Sequence, residues 1–230
     1  MILEPLQPFI CFDNFYDDPD AVREYALSLD YENDVGNYPG VRTKPLNEIG
    51  DYFFNTSCRK FLSLFVDLKE NVKWYISTRF QKIYRYSEDK SSPLNTGWVH
   101  TDDSFLSAVV YLNLNPNSES GTSLYSPRKD AIMKIREMDK TATLRCDFNQ
   151  NKLDDTSSYE REILENNSHF EKTVEIKNVY NRIIIYDAAQ FHAQSNYWMD
   201  DEDFRLTQVF FLHHLRAKNV PSQRCKSIRL

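Results

Sequence analysis

From residue 73 onward the hydrophobic pattern of this chain repeats every second residue, and that period constrains the fold more than any other feature. The runs WYISTRFQKIYRYS, GWVHTDD, FLSAVVYLNLN, GTSLYSP, NRIIIYDAAQFHA and RLTQVFFLHHL are rich in β-branched and aromatic residues. Turn signals such as Asn115-Pro116-Asn117 separate them, so they read as strands. Upstream the period is helical. After a short strand in PFICF, Asp18 suits a helix cap and Pro19 the first helical position, where no amide donor is needed. Val22, Tyr25, Ala26 and Leu29 then fall on one face. A second helix from about Asp51 aligns Phe54, Cys58, Phe61, Leu62 and Phe65. Residues 128–171 break the strand series: they are polar, carry a weak helical pattern at Ile132, Ile135 and Met138, and read as an excursion. The expected fold is mainly β (α+β), an antiparallel sandwich or jelly roll. It is read as one domain over 1–230, with helical support in 1–70 and the core in 73–215.

Composition narrows the class further. With 41% hydrophobic and 14% aromatic residues in 230, the chain can build a substantial core. A formal charge of −6 weighs slightly against a nucleic-acid partner. Cys11, Cys58, Cys146 and Cys225 form no CxxC pair and read as reduced thiols. The N-terminus has neither the basic start nor the apolar run of a signal peptide, and no stretch is long enough to span a bilayer. A cytoplasmic protein without membrane contact is expected.

The chemistry concentrates in a few polar residues set into apolar strands. His100 and Asp102 stand two apart on a predicted strand and so share a face, the spacing that offers an imidazole and a carboxylate to one metal ion. Alone this is weak: 5 His and 20 Asp generate roughly 0.4 such triplets by chance. A second histidine, His192, follows the apolar run 183–185 where the pattern turns polar. Two imidazoles and one carboxylate leave metal positions open, as non-haem Fe(II) chemistry requires. Arg205 and Thr207 open the inner face of the last strand, which Val209 and Phe211 continue. An arginine on an apolar face calls for an anion, with a carboxylate as its natural fork-shaped partner. Tyr111, in AVVYLNL, serves either that ligand or the core. His213 and His214 follow the last strand, and His169 lies in polar surroundings; all three read as surface or packing residues. The tail with Arg216, Lys218, Arg224, Lys226 and Arg229 reads as a solvated end. Trp98, Trp198 and Arg42 are candidates for the substrate mouth.

The order His-x-Asp, Tyr-Leu-Asn, Gly-Thr-x-Leu, a buried strand ending in His, then Arg-x-Thr resembles the prolyl-hydroxylase-like 2-oxoglutarate/Fe(II) dioxygenases over about residues 80–212. FDNFYDDPDAVREYAL followed by YPGVRTKPL is similar to a bacterial and viral branch of that superfamily. The resemblance implies a double-stranded β-helix. It implies Fe(II) held by His100, Asp102 and His192, with 2-oxoglutarate anchored by Arg205 and assisted by Thr207 and Tyr111. A second cosubstrate tyrosine falls on Tyr84 or Tyr86. With O₂ as oxidant, 2-oxoglutarate becomes succinate and CO₂ while a substrate C–H is hydroxylated. The substrate is peptidyl, prolyl in particular, or a small molecule. Two rival readings are a jelly-roll binding or scaffold module without turnover and a cupin-like metalloprotein without a ketoacid. Residues 87–95, ahead of His100, are expected to be among the more mobile parts of the mouth.

Overall fold

The computed structural model of the chain describes residues 9–32, 36, 38–69, 71–129, 142–150, 152–153 and 155–217. The pattern at Ile132, Ile135 and Met138, the basic residues from Lys218 onward and Cys225 lie outside the described residues.

Two antiparallel sheets form the core. The larger runs β1 (Phe9–Phe12), β7 (Ile183–Asp187), β4 (Leu106–Tyr111), β9 (Phe204–Arg216), β3 (Lys73–Tyr84), β2 (Val41–Arg42). The smaller runs β6 (Phe170–Ile176), β5 (Thr122–Pro127), β8 (Phe191–Gln194), and an isolated bridge from His100 to His192 extends it. From β3 the chain alternates between sheets in a jelly-roll-like way: β4 in the larger, β5 and β6 in the smaller, β7 back, β8 across, β9 back.

Strand parity decides what each face carries. On β9, Leu206, Phe210 and Leu212 join Ile76 and Phe80 of β3 and Ile183 and Ile185 of β7 against the N-terminal helices. Those helices are α1 (Pro19–Ser28), α2 (Leu46–Ile49) and α3 (Asp51–Ser63). Phe61 of α3 stacks on Phe210 with ring centroids 5.1 Å apart. Asp18 caps α1 by accepting from the Ala21 amide at 3.0 Å, with Pro19 in the first turn, as its sequence predicts. The opposite face of the larger sheet looks toward the smaller one, where Tyr111, Leu124, Ile176, Ile184 and Tyr186 pack together. Both faces are therefore covered, which explains why β4 and β7 read as near-continuous apolar runs.

The excursion is more ordered than its polarity implies. It contains α4 (Ala142–Asn149) and α5 (Ser157–Ser168) and runs into strand β6, and it packs Phe148, Tyr159 and Ile163 against Leu94 and Trp98. His169, expected at the surface, is buried at its end, with Nε2 3.3 Å from Glu165. The GWVHTDD segment is a bridge at His100 rather than a regular strand.

Candidate metal and ligand site

Three anchors bring His100, Asp102 and His192 together. His100 and His192 exchange backbone hydrogen bonds, at 3.0 and 2.9 Å, and the Asp102 amide donates to the Ala188 carbonyl at 2.9 Å. The imidazole centroids lie 4.4 Å apart, and one ligand atom from each of the three residues falls within 4.8 Å of the others. This is the constellation read from the sequence, although bridges place it rather than the parity of a single strand.

The histidine tautomers follow from their neighbours. His100 Nδ1 lies 2.7 Å from the Trp98 carbonyl and His192 Nδ1 2.8 Å from the Gln190 carbonyl. A carbonyl only accepts, so each Nδ1 carries the proton and each Nε2 turns a lone pair inward. Nε2 of His100 and His192 stand 3.5 and 3.2 Å from the Asp102 carboxylate. Burial pushes the His100 imidazole below its ordinary pKa, with His192 adding to the effect against the pull of Asp102. When the imidazoles are protonated, burial still favours the neutral Asp102 carboxyl, but the bonds and charges of His100 and His192 hold it well below the usual carboxylate range. Ser107 Oγ donates to Asp102 at 2.6 Å and fixes its orientation. Two lone pairs and a carboxylate converging on one point repel each other unless a cation sits between them, so this donor set fits a divalent ion.

One cavity joins this cluster to Arg205. Its walls include Gln81, Ser107, Thr122, Tyr186, Val209 and Phe211, and it encloses about 440 Å³ of empty space, part of it open to solvent. Arg205 is 1% exposed, and its Nε donates to the Ser120 carbonyl at 2.7 Å. Its Nη2, like Thr207 Oγ1, is buried without a hydrogen-bond partner among the described residues. Burial lowers the Arg205 pKa, an effect that Tyr111, Tyr197 and Tyr186 offset only in part. A guanidinium nonetheless keeps its charge in proteins, and an unpaired buried donor is costly, so Nη2 of the cavity-lining Arg205 fits an anionic ligand, whereas Thr207 is not among the residues that line the cavity. Asn113 explains how the arginine is delivered: its side chain accepts from the Leu206 amide at 2.8 Å and donates to the Phe204 carbonyl at 2.9 Å, framing the start of β9. At Gly121 an added Cβ would stand 1.8 Å from the Ile176 carbonyl, which accounts for the glycine of Gly-Thr-x-Leu.

The remaining expected residues divide. Tyr111 is buried, but its hydroxyl donates to Thr122 Oγ1 at 2.9 Å, and Thr122 in turn lines the cavity. Tyr84 does not join the site. In the β3–β9 register Ile83 faces Arg205 and Tyr84 faces Phe204, so parity turns Tyr84 to the helix side, 45% exposed against the Phe204 ring. Tyr86 packs on Phe148 and its hydroxyl accepts from the Gly40 amide at 2.9 Å, fixing the 38–42 turn. Trp198 stands apart with its Nε1 on Asp200, whereas Trp98 and Arg42 both reach a cavity beside His100. His213 and His214 are exposed at the far end of β9.

Sequence reasoning misses two features. Tyr186, hidden within IIIYD, puts its ring 4.6 Å from His192, and burial raises its phenol well above the ordinary value, so it stays a donor. The alternation Ile184, Tyr186 was the available signal. The other feature is the pair Asn166 and Asn167 at the end of α5. Asn167 accepts from the Val99 amide at 2.9 Å and donates to the Gly97 carbonyl at 3.0 Å, while Asn166 donates to the Val99 carbonyl at 3.1 Å. The segment carrying His100 is thus held by β8 on one side and by these two amides on the other. Residues 87–95 are likewise tied down: Asn95, fully buried, accepts from the amides of Tyr86 and Ser87 and donates to the carbonyls of Ser87 and Asp89.

Fold and site together define a jelly-roll-like protein with a two-histidine, one-carboxylate cluster beside a buried arginine. The chain belongs to a family of unknown function, DUF6445, which it matches over residues 2–212. No curated protein sequence matches it. Its fold is similar to that of HygX from Streptomyces hygroscopicus. With nickel and 2-oxoglutarate bound, HygX superposes at a TM-score of 0.52 and 10% identity, over 90% of this chain and 83% of that chain. With nickel, 2-oxoglutarate and hygromycin B bound, the TM-score is 0.54 at the same identity and coverage. No helix among the described residues is long and apolar enough to cross a membrane.

Proposed function

We propose that this chain is an Fe(II)- and 2-oxoglutarate-dependent oxygenase built on a double-stranded β-helix, which hydroxylates a substrate C–H and releases succinate and CO₂. In this reading His100, Asp102 and His192 hold the iron. Arg205 grips the far carboxylate of 2-oxoglutarate, Thr207 assists it, and Tyr111 orients Thr122 toward the same ligand. The iron with its cosubstrate supplies the oxidising power. The chain's own residues bind, orient and exclude water. The Nδ1 bonds to Trp98 and Gln190 hold both imidazoles in the ligating tautomer, Ser107 steers the carboxylate, and the apolar side chains Val209 and Phe211 keep the chamber dry.

One observation carries the reading: the converging donors of the triad and the unpaired Nη2 of Arg205 belong to residues lining the same cavity. A scaffold module has no use for a buried guanidinium with an unpaired Nη2, and a metalloprotein without a ketoacid leaves the same atom unexplained. HygX, of the same fold, has been crystallised with nickel and 2-oxoglutarate, which supports the cofactor assignment. The test is conversion of 2-oxoglutarate to succinate by purified protein with Fe(II) and O₂, alone and with candidate small molecules and proline-containing peptides.

A further inference from the structure

A second cavity opens beside His100; it shares Arg42, His100 and Gln194 with the first but differs from it in character. It encloses about 350 Å³ of empty space, part of it open to solvent, and its lining includes four aromatic rings, Tyr38, Trp98, Tyr159 and Tyr197, together with Arg42 and Arg145. No Asp or Glu is among the described residues that line it. Arg42 lies over the Tyr38 ring at 3.6 Å and donates to Gln81 at 3.3 Å; Arg145 lies over the Trp98 ring at 5.1 Å. Both guanidiniums keep contacts within the protein, but each has five N–H donors in a fork, enough to serve a ligand as well.

We infer that this cavity is the primary-substrate site and that its substrate is a small organic acid with a flat, apolar body, held through its carboxylate or phosphate by Arg42 and Arg145. The inference rests on the oxygenase reading, because that reading makes the cavity next to the metal a place for a substrate. Arg42 lines both cavities, so it borders the cosubstrate chamber as well. Aromatic walls alone also suit a quaternary cation, but two guanidiniums repel one. The walls are built rather than loose. The 38–42 turn is pinned by Gln81 Nε2 donating to the Pro39 carbonyl at 2.7 Å and by the Tyr86 hydroxyl on Gly40. Tyr159 is stacked on Phe148 at 3.6 Å. A cavity walled by a turn, two helices and β8 suits a small molecule better than a through-running polypeptide. His100 lines the same cavity, so a molecule held there presents its C–H to the metal.

The test is calorimetric binding to Zn(II)-loaded protein, which needs no turnover. Phenylacetate, phenyl phosphate and a series of aliphatic acids are each compared with the matching neutral amide or alcohol, alongside benzyltrimethylammonium and an acidic hexapeptide. At least one acid should bind about 10-fold or more tighter than its neutral partner, as expected for one charge-assisted contact. The preferred arm names the acid as carboxylate or phosphate. Arg145→Gln should remove that preference while leaving 2-oxoglutarate affinity within about 2-fold, and Arg145→Lys should keep part of it, so a poorly folding Gln variant does not blur the outcome. Equal binding of acids and neutral partners, an unchanged preference in both Arg145 variants, or tight binding of the peptide or the ammonium ion alone would overturn the inference. Failure of 2-oxoglutarate itself to bind the metal-loaded wild type would instead strike the oxygenase reading.

Discussion

Replacing Arg205 by methionine separates what this residue does for the ligand from what it does for the fold. The guanidinium is 1% exposed, donates through Nε to Ser120 at 2.7 Å and leaves Nη2 without a partner among the described residues. An unpaired buried donor costs about 1–3 kcal/mol, and a hydrogen bond to a charged group contributes about 1.5–3 kcal/mol. These terms oppose each other, so the ligand-free Met variant should lie within about 2 kcal/mol of wild type. The ligand term does not cancel. Losing a desolvated charge-assisted pair worth about 3 kcal/mol should weaken 2-oxoglutarate about 10²-fold. At about 100 times the wild-type Kd, ligand stabilises the wild type by about 2.7 kcal/mol but the variant by only about 0.4 kcal/mol. For a chain of this size that is a thermal shift of about 5–11 °C reduced to about 1–2 °C. The assay is a thermal melt of Zn(II)-loaded protein with and without 2-oxoglutarate. Arg205→Lys should recover part of the shift, as a point charge lacking the fork. A full shift in Arg205→Met would refute the placement of the carboxylate.

Three further outcomes follow from the geometry. Asp102→Ala and His192→Ala should each abolish stoichiometric metal binding, read by calorimetry, while the far-ultraviolet spectrum stays native, because both residues act at the cluster and not in the helix-packed core. Gly97→Ala should destabilise the fold and weaken metal binding, since the added Cβ would stand 2.6 Å from the Gln194 amide nitrogen and push the His100 segment off β8; unchanged melting and metal affinity would count against that clash. Asn167→Ala removes two bonds to the same segment, and should lower metal affinity about 10–100-fold at a cost of about 1–3 kcal/mol in stability, with a native metal isotherm as the contrary result.

Much of this arrangement is legible in the sequence because burial leaves a periodic trace. The strands β3, β4, β7 and β9 show it directly, and His100, Asp102, His192 and Arg205 stand out as polar groups set into apolar runs. Strand β6 hides because FEKTVEI exposes most of its middle and leaves little alternation to read. Asn166 and Asn167 are ordinary helix-end residues until the fold lays Val99 beside them. Tyr84 misleads for the opposite reason. Motif order placed it near the ligand, but the β3–β9 register turns it to the other face, a matter of one residue of parity. His169 looks solvated among Glu165, Asn166, Asn167 and Ser168 and is nevertheless buried, as the C-cap of α5 with the Arg128 amide on its carbonyl and Glu165 beside its Nε2.

The central claim is tested most directly by succinate formation from 2-oxoglutarate under Fe(II) and O₂, measured side by side in wild type, His192→Ala and Arg205→Met. The account predicts succinate from the wild type in an iron- and oxygen-dependent manner, none above background from His192→Ala, and a rate from Arg205→Met that recovers only at far higher 2-oxoglutarate. Undiminished succinate from His192→Ala would contradict it, as would none from wild type with iron and 2-oxoglutarate both bound.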